Sequence, residues 1–268
     1  MDTLGDYLKK IEDSESGRRV AKGKPLVARL DGRSFHTFTH GLARPYDLRL
    51  SALMMQTTKH LVSKTNALVG YTQSDEITLV WYLPEGSESQ YLFDGRYQKL
   101  ASNLAAIASV YFNKELAALI PEKADQSPIF DCRVNEYPTL HDAYLVLLWR
   151  ERDAIKNSIS MAAQAHFSVK ELHKKNSSEK LEMLREIAPW DKEPEFFKKG
   201  IFFKRAQVMR ELTAEELQKI PEKHRGTGVV ERAVVVPLNI PDLDKWDRHP
   251  TPTLFRQYAQ KQADDTYI

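Results

Sequence analysis

The chain has 268 residues, of which 42% are hydrophobic and 28% are charged, and its formal net charge is +2. These values are typical of a folded globular protein with one large or two small domains, and the charge balance alone does not indicate a nucleic-acid-binding protein. The single cysteine, Cys132, excludes an intrachain disulfide and a cysteine-rich zinc site. No secretory signal and no apolar stretch of about 18 residues is visible, so we expect a cytoplasmic protein that does not cross a membrane.

Apolar periodicity predicts strands and helices that alternate along the first half of the chain. The polar residues 1–24 are expected to form a short helix and a loop. Residues 168–199 are expected to be helical in pieces, and the last residues, from Pro241, to form an extended arm or a packing tail. Strands are predicted over 25–31, 67–73, 77–82, 127–138, 200–208 and 230–240, and helices over 46–65, 95–113 and, as one or two helices, 139–167.

The order of the first elements is strand, helix, strand, strand, helix, strand. This order favours the α+β class and a mainly antiparallel sheet with helices on one face, which is the ferredoxin-like βαββαβ arrangement. In this topology, the end of the first strand and the tip of the following hairpin lie at the same edge of the sheet.

Acidic residues stand at both of these positions. Asp31 ends the first strand, and Asp75 and Glu76 occupy the predicted hairpin tip. Converging carboxylates repel each other unless a cation lies between them, and oxygen ligands of this kind favour Mg²⁺. A pair of such ions can hold both oxygens of an in-line phosphoryl displacement. Gly32 allows close approach of the backbone, so its carbonyl is a further candidate ligand.

The residues by themselves leave a plainer interpretation open. Asp-Gly after a strand and Ser-Asp-Glu between two strands are both common turn sequences. A metal site and a pair of ordinary turns are therefore both consistent with the pattern. Basic residues that are candidates for holding phosphate groups are Arg29, Arg33, Arg96 and Lys99.

Several segments resemble, in order, the tRNA-histidine guanylyltransferase family and its 3′–5′ polymerase-like relatives. They are ARLDGRSFHTF, RPYD, GYTQSDEITLVW, RYQKLAS, FDCRVNEYP and WRERDAIKNS, all within residues 20–210. The resemblance implies the palm fold of polymerases and nucleotide cyclases and the addition of a nucleotide to the 5′ end of a tRNA. It further implies that ATP activates the 5′-monophosphate, after which the 3′-hydroxyl of GTP attacks and AMP leaves.

The resemblance also implies roles for single residues. Asp31 and Asp75 match the carboxylates that hold two Mg²⁺ ions, Gly32 matches the backbone ligand, and Glu76 matches a supporting acid of the catalytic set. The expected nucleotide-binding residues are Arg29, Arg33, Ser34, Phe35, His36, Arg44, Asp47, Ser74 and Lys99, and the expected tRNA-binding residues are Lys156, Asn157, Lys174 and Lys175. The implied partners are tRNA, ATP and GTP, and the implied assembly is a homotetramer.

By the same resemblance, we divide the chain into a catalytic palm core (1–140), elements that complete the palm and contact tRNA (141–240), and a C-terminal tail (241–268).

Three departures from the family pattern affect the predicted substrate. Ile155-Lys156-Asn157-Ser158 stands where eukaryotic members have His-Ile-Asn-Asn, Asn103 replaces a basic residue, and Cys132 replaces a glycine. The missing histidine favours templated repair of tRNA 5′ ends over strict maturation of tRNA-histidine. Two alternatives stay open: a palm-domain nucleotide cyclase or signalling-nucleotide synthase, and a non-catalytic RNA-binding protein.

Overall fold

The computed structural model describes residues 3–222, 228–246 and 250–268. The strands are Leu26–Gly32 (β1), Val69–Gln73 (β2), Glu76–Trp81 (β3), Phe130–Glu136 (β4), Ile201–Glu211 (β5) and Val229–Pro237 (β6). The helices are Thr3–Ser16 (α1), Phe35–Phe38 (α2), Leu48–Thr65 (α3), Tyr97–Leu119 (α4), Leu140–His166 (α5), Val169–Leu172 (α6), Ser177–Leu184 (α7), Glu195–Lys199 (α8), Ala214–Lys219 (α9) and Pro250–Leu254 (α10). Short 3₁₀ segments cover Leu92–Gly95, Pro121–Gln126 and Trp190–Lys192.

The strands form one sheet in the order β4-β1-β3-β2-β5-β6, and every neighbouring pair is antiparallel. The order of the first four strands, with α3 and α4 as the connecting helices, is that of a ferredoxin-like fold. The predicted fold class is therefore confirmed. β5 pairs with β2 only near its start, and beyond that point it forms a two-stranded ribbon with β6.

One face of the sheet packs against α3 and α4, and we call it the front face. Alternate residues of β1, including Ala28 and Leu30, point into this core, as a strand period of two requires. From α4, Leu100, Leu104 and Phe112 enter the same core at helical spacing. The predicted stripe of α4 is thus largely observed, but the helix continues beyond the predicted end, to Leu119.

The opposite face, the back face, is also covered, and the expectation of helices on one face only is wrong. α5, which is a single helix, packs Ala143 and Leu147 against Val27 and Val80. The described residues of the C-terminal segment, 238–246 and 250–268, complete this back-face core. Every residue of β2 and β3 is buried, and a strand that is buried throughout needs cover on both faces.

The packing role expected for the last residues is seen in their described part. The buried apolar residues of the C-terminal segment are Leu238, Ile240, Leu243, Leu254, Phe255 and Ala259. The division of the chain into three parts stays a prediction. None of the helices that the structure describes is long and apolar enough to span a membrane.

Candidate active site

A two-residue turn joins β2 to β3 and places Asp75 at one end of the sheet. Gln73 pairs with Glu76 across the hairpin, and Ser74, at φ 48°, takes the left-handed conformation that tight hairpin turns use. β1 lies next to β3, with Asp31 opposite Glu76. The amide of Gly32 donates to the carbonyl of Asp75 at 3.1 Å. Asp31 and Asp75 therefore meet at the same end of the sheet, as the topology predicts.

The electrostatics of this pair suit a cation. Burial, and then the negative charge of Asp31, raise the pKa of Asp75. Within the described residues, no group of three or more His, Cys, Asp or Glu side chains is arranged to hold a metal ion. Mg²⁺ needs fewer protein ligands, because it keeps several waters and takes substrate phosphate oxygens beside one or two carboxylates. Two carboxylates and the Gly32 carbonyl form a donor set that fits this ion.

Glu76 is engaged elsewhere. The guanidinium of Arg150 donates from Nε to Oε1 at 2.7 Å and from an Nη atom to Oε2 at 2.8 Å. Burial raises the pKa of Glu76, and the contacts with Arg150 and Arg29 oppose that shift. Because both of its carboxylate oxygens are bound by Arg150, Glu76 anchors the hairpin to α5. This arrangement agrees with a supporting role and does not offer Glu76 as a free metal ligand.

Gly32 has a packing reason to lack a side chain. A Cβ atom at this position would lie 2.3 Å from Cδ2 of Phe35. Phe35 itself is buried in an aromatic cluster, with ring centroids 5.0 Å from Phe38, 5.6 Å from Phe112 and 5.3 Å from Phe130. Phe35 was expected to contact the nucleotide, but its ring belongs to the front core. The glycine at position 32 thus leaves room for the ring of Phe35, three residues later, to pack into the front core.

A cleft of about 540 Å³ opens beside the two acids. Its walls are the loop between α2 and α3, the C-terminal half of α5, and α8. It is of the size that proteins use for nucleotide-sized ligands. The predicted site residues that line it are Asp31, Gly32, Ser34, Phe35, His36, Arg44, Asp47, Ser74, Asp75 and Asn157.

Asn157 was expected to contact tRNA, a contact that stays a prediction, and the structure places it in this cleft. The reason is the direction of α5. This helix runs along the back face toward the acidic end, where Arg150 meets Glu76, and its next turns pass the cleft. Lys156 is exposed beside Asn157 but is not among the residues that line the cleft.

Asp47 shapes the wall of the cleft. It is buried, it caps α3 by accepting from the Arg49 amide at 2.9 Å, and its other oxygen accepts from the Ala43 amide at 3.3 Å. Two further bonds from the Arg49 guanidinium, at 3.1 Å and 2.9 Å, complete its contacts. These Arg49 contacts lower the pKa of Asp47 to about 2. Asp47 is thus ionised and holds residues 43–49 in a closed loop.

An aromatic wall of the cleft was missed in the sequence analysis. The ring of Tyr46 lies 5.4 Å from that of Phe196 and 4.6 Å from that of Phe197, between centroids. These contacts join the α2–α3 loop to α8. The only local signal was the Phe-Phe pair within a highly charged stretch, and it carries no information about its partner.

Several of the expected residues lie away from the cleft. Lys99 is in the first turn of α4, where the Tyr97 amide donates to the Arg18 carbonyl. β3 runs away from the acidic end, so α4 starts at the opposite end of the sheet, about 20 Å along β1 at roughly 3.3 Å per residue. Arg33 borders a separate cavity of about 320 Å³. Neither side chain is among the residues that line the cleft, and their expected roles in nucleotide binding stay predictions.

The remaining basic candidates also lie outside the cleft. Lys174 and Lys175 are exposed between α6 and α7, and Lys175 pairs with Glu179 at 3.0 Å. Arg29 points to the back face and reaches Glu76 at 3.9 Å. Their roles in binding nucleotide or tRNA stay predictions.

Comparison with known proteins settles the family. The model of the tRNAHis guanylyltransferase (Thg1) family matches residues 5–138, which is half of the chain. The chain belongs to this family. The tRNAHis guanylyltransferases are nucleotidyltransferases, so the protein is an enzyme of that class.

The similarity to individual relatives extends beyond the matched region. The chain is 28% identical to the tRNA(His) guanylyltransferase of Schizosaccharomyces pombe, over 91% of this chain and 95% of that one. A solved bacterial tRNA(His) guanylyltransferase-like protein in complex with ATP is 32% identical, has a TM-score of 0.71, and is matched over 75% of this chain and 88% of that one. A second such bacterial protein, in complex with GTP, is 27% identical, has a TM-score of 0.68, and is matched over 91% of this chain and 95% of that one.

Proposed function

We propose that this guanylyltransferase family member adds a guanosine or another nucleotide to the 5′ end of a tRNA, with Mg²⁺, ATP and GTP. The observation that carries the proposal is the convergence of Asp31 and Asp75 at the edge of a cleft of about 540 Å³. The solved relatives in complex with ATP and with GTP support the assignment of the cleft to a nucleoside triphosphate.

The proposed reaction has two steps. An oxygen of the RNA 5′-phosphate attacks the α-phosphorus of ATP, and pyrophosphate leaves. The 3′-hydroxyl of GTP then attacks the activated 5′-phosphorus, its proton is lost, and AMP leaves. No step needs a protein nucleophile, so positioning and charge neutralisation carry the catalysis.

The carboxylates of Asp31 and Asp75 and the carbonyl of Gly32 are the groups that would hold Mg²⁺. When bound, two Mg²⁺ ions would supply neutralisation of the phosphate charge and a lower pKa for the attacking hydroxyl. Arg150 keeps the hairpin in place through Glu76, because both carboxylate oxygens are bound.

The other cleft residues would bind the nucleotide. Ser74, exposed at the hairpin tip, is a candidate donor to phosphate oxygens, and His36 and Arg44 are candidates for the nucleoside. Asn157 supplies an amide to the same cleft. The closed loop that Asp47 holds and the aromatic wall at Tyr46 would exclude water from the bound ligand.

We favour templated repair of 5′-truncated tRNAs over strict maturation of tRNA-histidine. The support is the stretch Ile155-Lys156-Asn157-Ser158, which lacks the histidine of the eukaryotic members and borders the cleft. Cytoplasmic location and a homotetramer that contacts one tRNA through more than one subunit complete the proposal. Light scattering of the purified protein, with and without tRNA, checks the assembly.

A single assay tests the proposed function. Purified protein, Mg²⁺, ATP and labelled GTP are mixed with tRNA-histidine lacking its extra 5′ guanosine, or with a tRNA missing one templated 5′ nucleotide. Preferential label in the truncated tRNA is expected. Label only in tRNA-histidine would support maturation instead. No label in either RNA, with GTP converted to a small product, would overturn the proposal in favour of a cyclase-type reaction.

A further inference from the structure

A group of basic and aromatic side chains lies outside the cleft, on the part of the back face that α5 leaves open. We call Arg29, Arg133, Trp149 and Lys156 the arginine–tryptophan surface. Arg29 and Arg133 are directly opposite each other on β1 and β4, so their side chains lie on the same face. Trp149 is 53% exposed, and its ring lies 5.6 Å from Cζ of Arg29.

In the described part of the chain, each of the two arginines has a carboxylate neighbour, but only at a long distance. Arg29 is 3.9 Å from Glu76, whose two oxygens already accept bonds from Arg150. Arg133 is 3.8 Å from the exposed Asp131. Like charges directly opposite each other on a sheet are destabilising, and both contacts are longer than a hydrogen bond. The pair therefore has donors available for an anion from outside.

The exposed ring adds a second kind of contact. The guanidinium carbons of Arg150 and Arg29 lie 4.6 Å and 5.6 Å from the centroid of the Trp149 ring, and the half of the indole that stays exposed offers surface for stacking. Bases of single-stranded nucleic acid stack on such side chains, while arginines hold the neighbouring phosphates. An acidic peptide would satisfy the arginines but would leave the indole without a role.

The surface lies next to the reacting groups. Arg29 precedes Asp31 by two residues on β1, so the two side chains share a face, with Cα atoms about 7 Å apart. Lys156 follows Trp149 by two turns on the same side of α5, in the direction of the cleft. The residues of this helix that line the cleft are centred roughly a third of a turn away around the helix axis; they are Ala154, Asn157, Ser158, Met161 and Gln164. Cleft and surface thus approach the acids from different directions.

We propose that the arginine–tryptophan surface binds the 5′-terminal nucleotides of the RNA substrate. Arg29, Arg133 and Lys156 contact phosphates, and a base unpaired at the 5′ end stacks on Trp149. This inference rests on the proposed function, because it places the RNA end beside the carboxylates that would act on it. The nucleoside triphosphate occupies the cleft at the same time.

The test uses the full-length protein and a 5′-phosphorylated, 3′-fluorescein-labelled tRNA that lacks its first nucleotide. Binding is measured by fluorescence anisotropy over a range of salt concentrations for Arg133→Ala, Trp149→Ala and Trp149→Phe. Arg133 and Trp149 are chosen because Arg29 also contacts Glu76. Lys114→Ala, an exposed lysine on α4 at the front face, is the matched control.

Arg133→Ala is expected to reduce the slope of log K against log salt concentration by about 1. Trp149→Ala is expected to weaken tRNA binding roughly tenfold, and Trp149→Phe to retain most of the affinity. Calorimetric affinities for ATP and GTP should match the wild type in every variant, and Lys114→Ala should match it throughout.

Two results would overturn the inference. In one, Arg133→Ala and Trp149→Ala bind tRNA like the wild type. In the other, only Arg133→Ala is impaired, which shows charge attraction without stacking. Nucleotide transfer is read separately. A wild type that binds tRNA through this surface but transfers nothing would count against the proposed function, whereas transfer that is insensitive to both variants would count against the surface.

Discussion

Buried charged side chains lie both at the acidic end of the sheet and beneath the C-terminal segment. The two regions differ in the partners that offset the cost of burying these charges. At the acidic end, Glu76 meets Arg150 through two hydrogen bonds, and Asp31 and Asp75 border an open cleft. Beneath the C-terminal segment, Glu151 and Lys204 are buried against backbone groups.

Glu151 and Lys204, beneath the C-terminal segment, have few hydrogen-bond partners to offset their burial. Glu151 accepts one bond, from the Leu243 amide at 2.8 Å, and its Oε1 atom has no hydrogen-bond partner in the described part of the chain. Burial raises its pKa to about 7. Lys204 donates to the Leu254 carbonyl at 2.5 Å, and burial, with Arg205 and Arg256 as minor causes, lowers its pKa to about 7.

The difference separates charge that serves a ligand from charge that only affects folding. Repulsion between Asp31 and Asp75 can be relieved by a cation that enters the cleft. The cost of burying Glu151 and Lys204 stays with the folded chain, because neither side chain is among the residues that line the cleft. Substitution of Asp31 or Asp75 should therefore change activity, whereas substitution of Glu151 or Lys204 should change stability and its dependence on pH.

Asp75→Asn should give the largest effect. We expect turnover to fall at least a thousandfold, because a carboxylate that would neutralise developing phosphate charge is lost. The free energy of unfolding should be unchanged or higher, since repulsion with Asp31 is removed. Transfer assays and urea unfolding measure the two quantities. Asp131→Asn, an exposed acid opposite Asp31 on β4, is the control for charge alone. Wild-type turnover in Asp75→Asn would contradict the metal site.

Arg150→Met should destabilise the protein by about 3–5 kcal/mol, because it leaves Glu76 buried without its partner. Replacing both residues, as Arg150→Met with Glu76→Met, should recover most of that loss, since a buried pair and an apolar pair are often similar in stability. Urea unfolding of the two single variants and the double variant measures this. A double variant as unstable as Arg150→Met would show that the pair contributes more than mutual compensation.

Lys204→Met should change stability in the alkaline range. The folded-state pKa of Lys204, about 7, lies below its ordinary value of 10.5, so the unfolded chain binds more protons between these values. Wild-type stability should therefore contain a contribution that rises from pH 7 to pH 10. The variant should lack this contribution and gain about 4 kcal/mol at pH 7. Urea unfolding at pH 7 and pH 9.5 tests this, with Lys114→Met as the exposed control. If the free energy of unfolding changed with pH in the same way for Lys204→Met and the wild type, the prediction would be refuted.

Glu151→Gln should give the smallest change in stability, and its dependence on pH should be opposite to that of Lys204→Met. The folded-state pKa of Glu151, about 7, lies above its ordinary value of 4.5, so the folded chain binds more protons in this window. Its contribution to stability is present below pH 4.5 and is lost as the pH rises through 7. The amide should therefore be more stable than wild type by about 3 kcal/mol at pH 8 and by about 1 kcal/mol at pH 5. If Glu151→Gln and the wild type differed in free energy of unfolding by the same amount at pH 5 and pH 8, titration of Glu151 would be excluded as the cause.

The part of the site that sequence reasoning could predict follows from local pattern and chain order. Strand periodicity and the two-residue spacing of the hairpin are enough to bring Asp31 and Asp75 together. The pairing of Glu76 with Arg150 could not be predicted, because the two residues are 74 positions apart and an arginine on a helix is most often exposed. The position of Lys99 could have been predicted from the direction of β3, which carries the chain away from the acids.

The back face shows a second limit. The C-terminal segment is polar and rich in proline, and its apolar residues follow no strand or helix period. Its burial depends on Val27, Val80 and Phe202, which belong to distant parts of the chain. The prediction of helices on one face failed because pairwise contacts of this kind leave no periodic signal.

The long sequence separation within the back-face core has a consequence for synthesis. In a chain made from its N-terminus, the front core can form once Phe203 is available, whereas the back-face core needs residues as late as Ala259. Until those residues leave the ribosome, Val27, Val80 and Phe202 lack part of their cover. A nascent chain arrested before residue 238 should accordingly expose apolar surface and bind chaperones, and emergence of residues 238–268 from the ribosome should complete the back-face core.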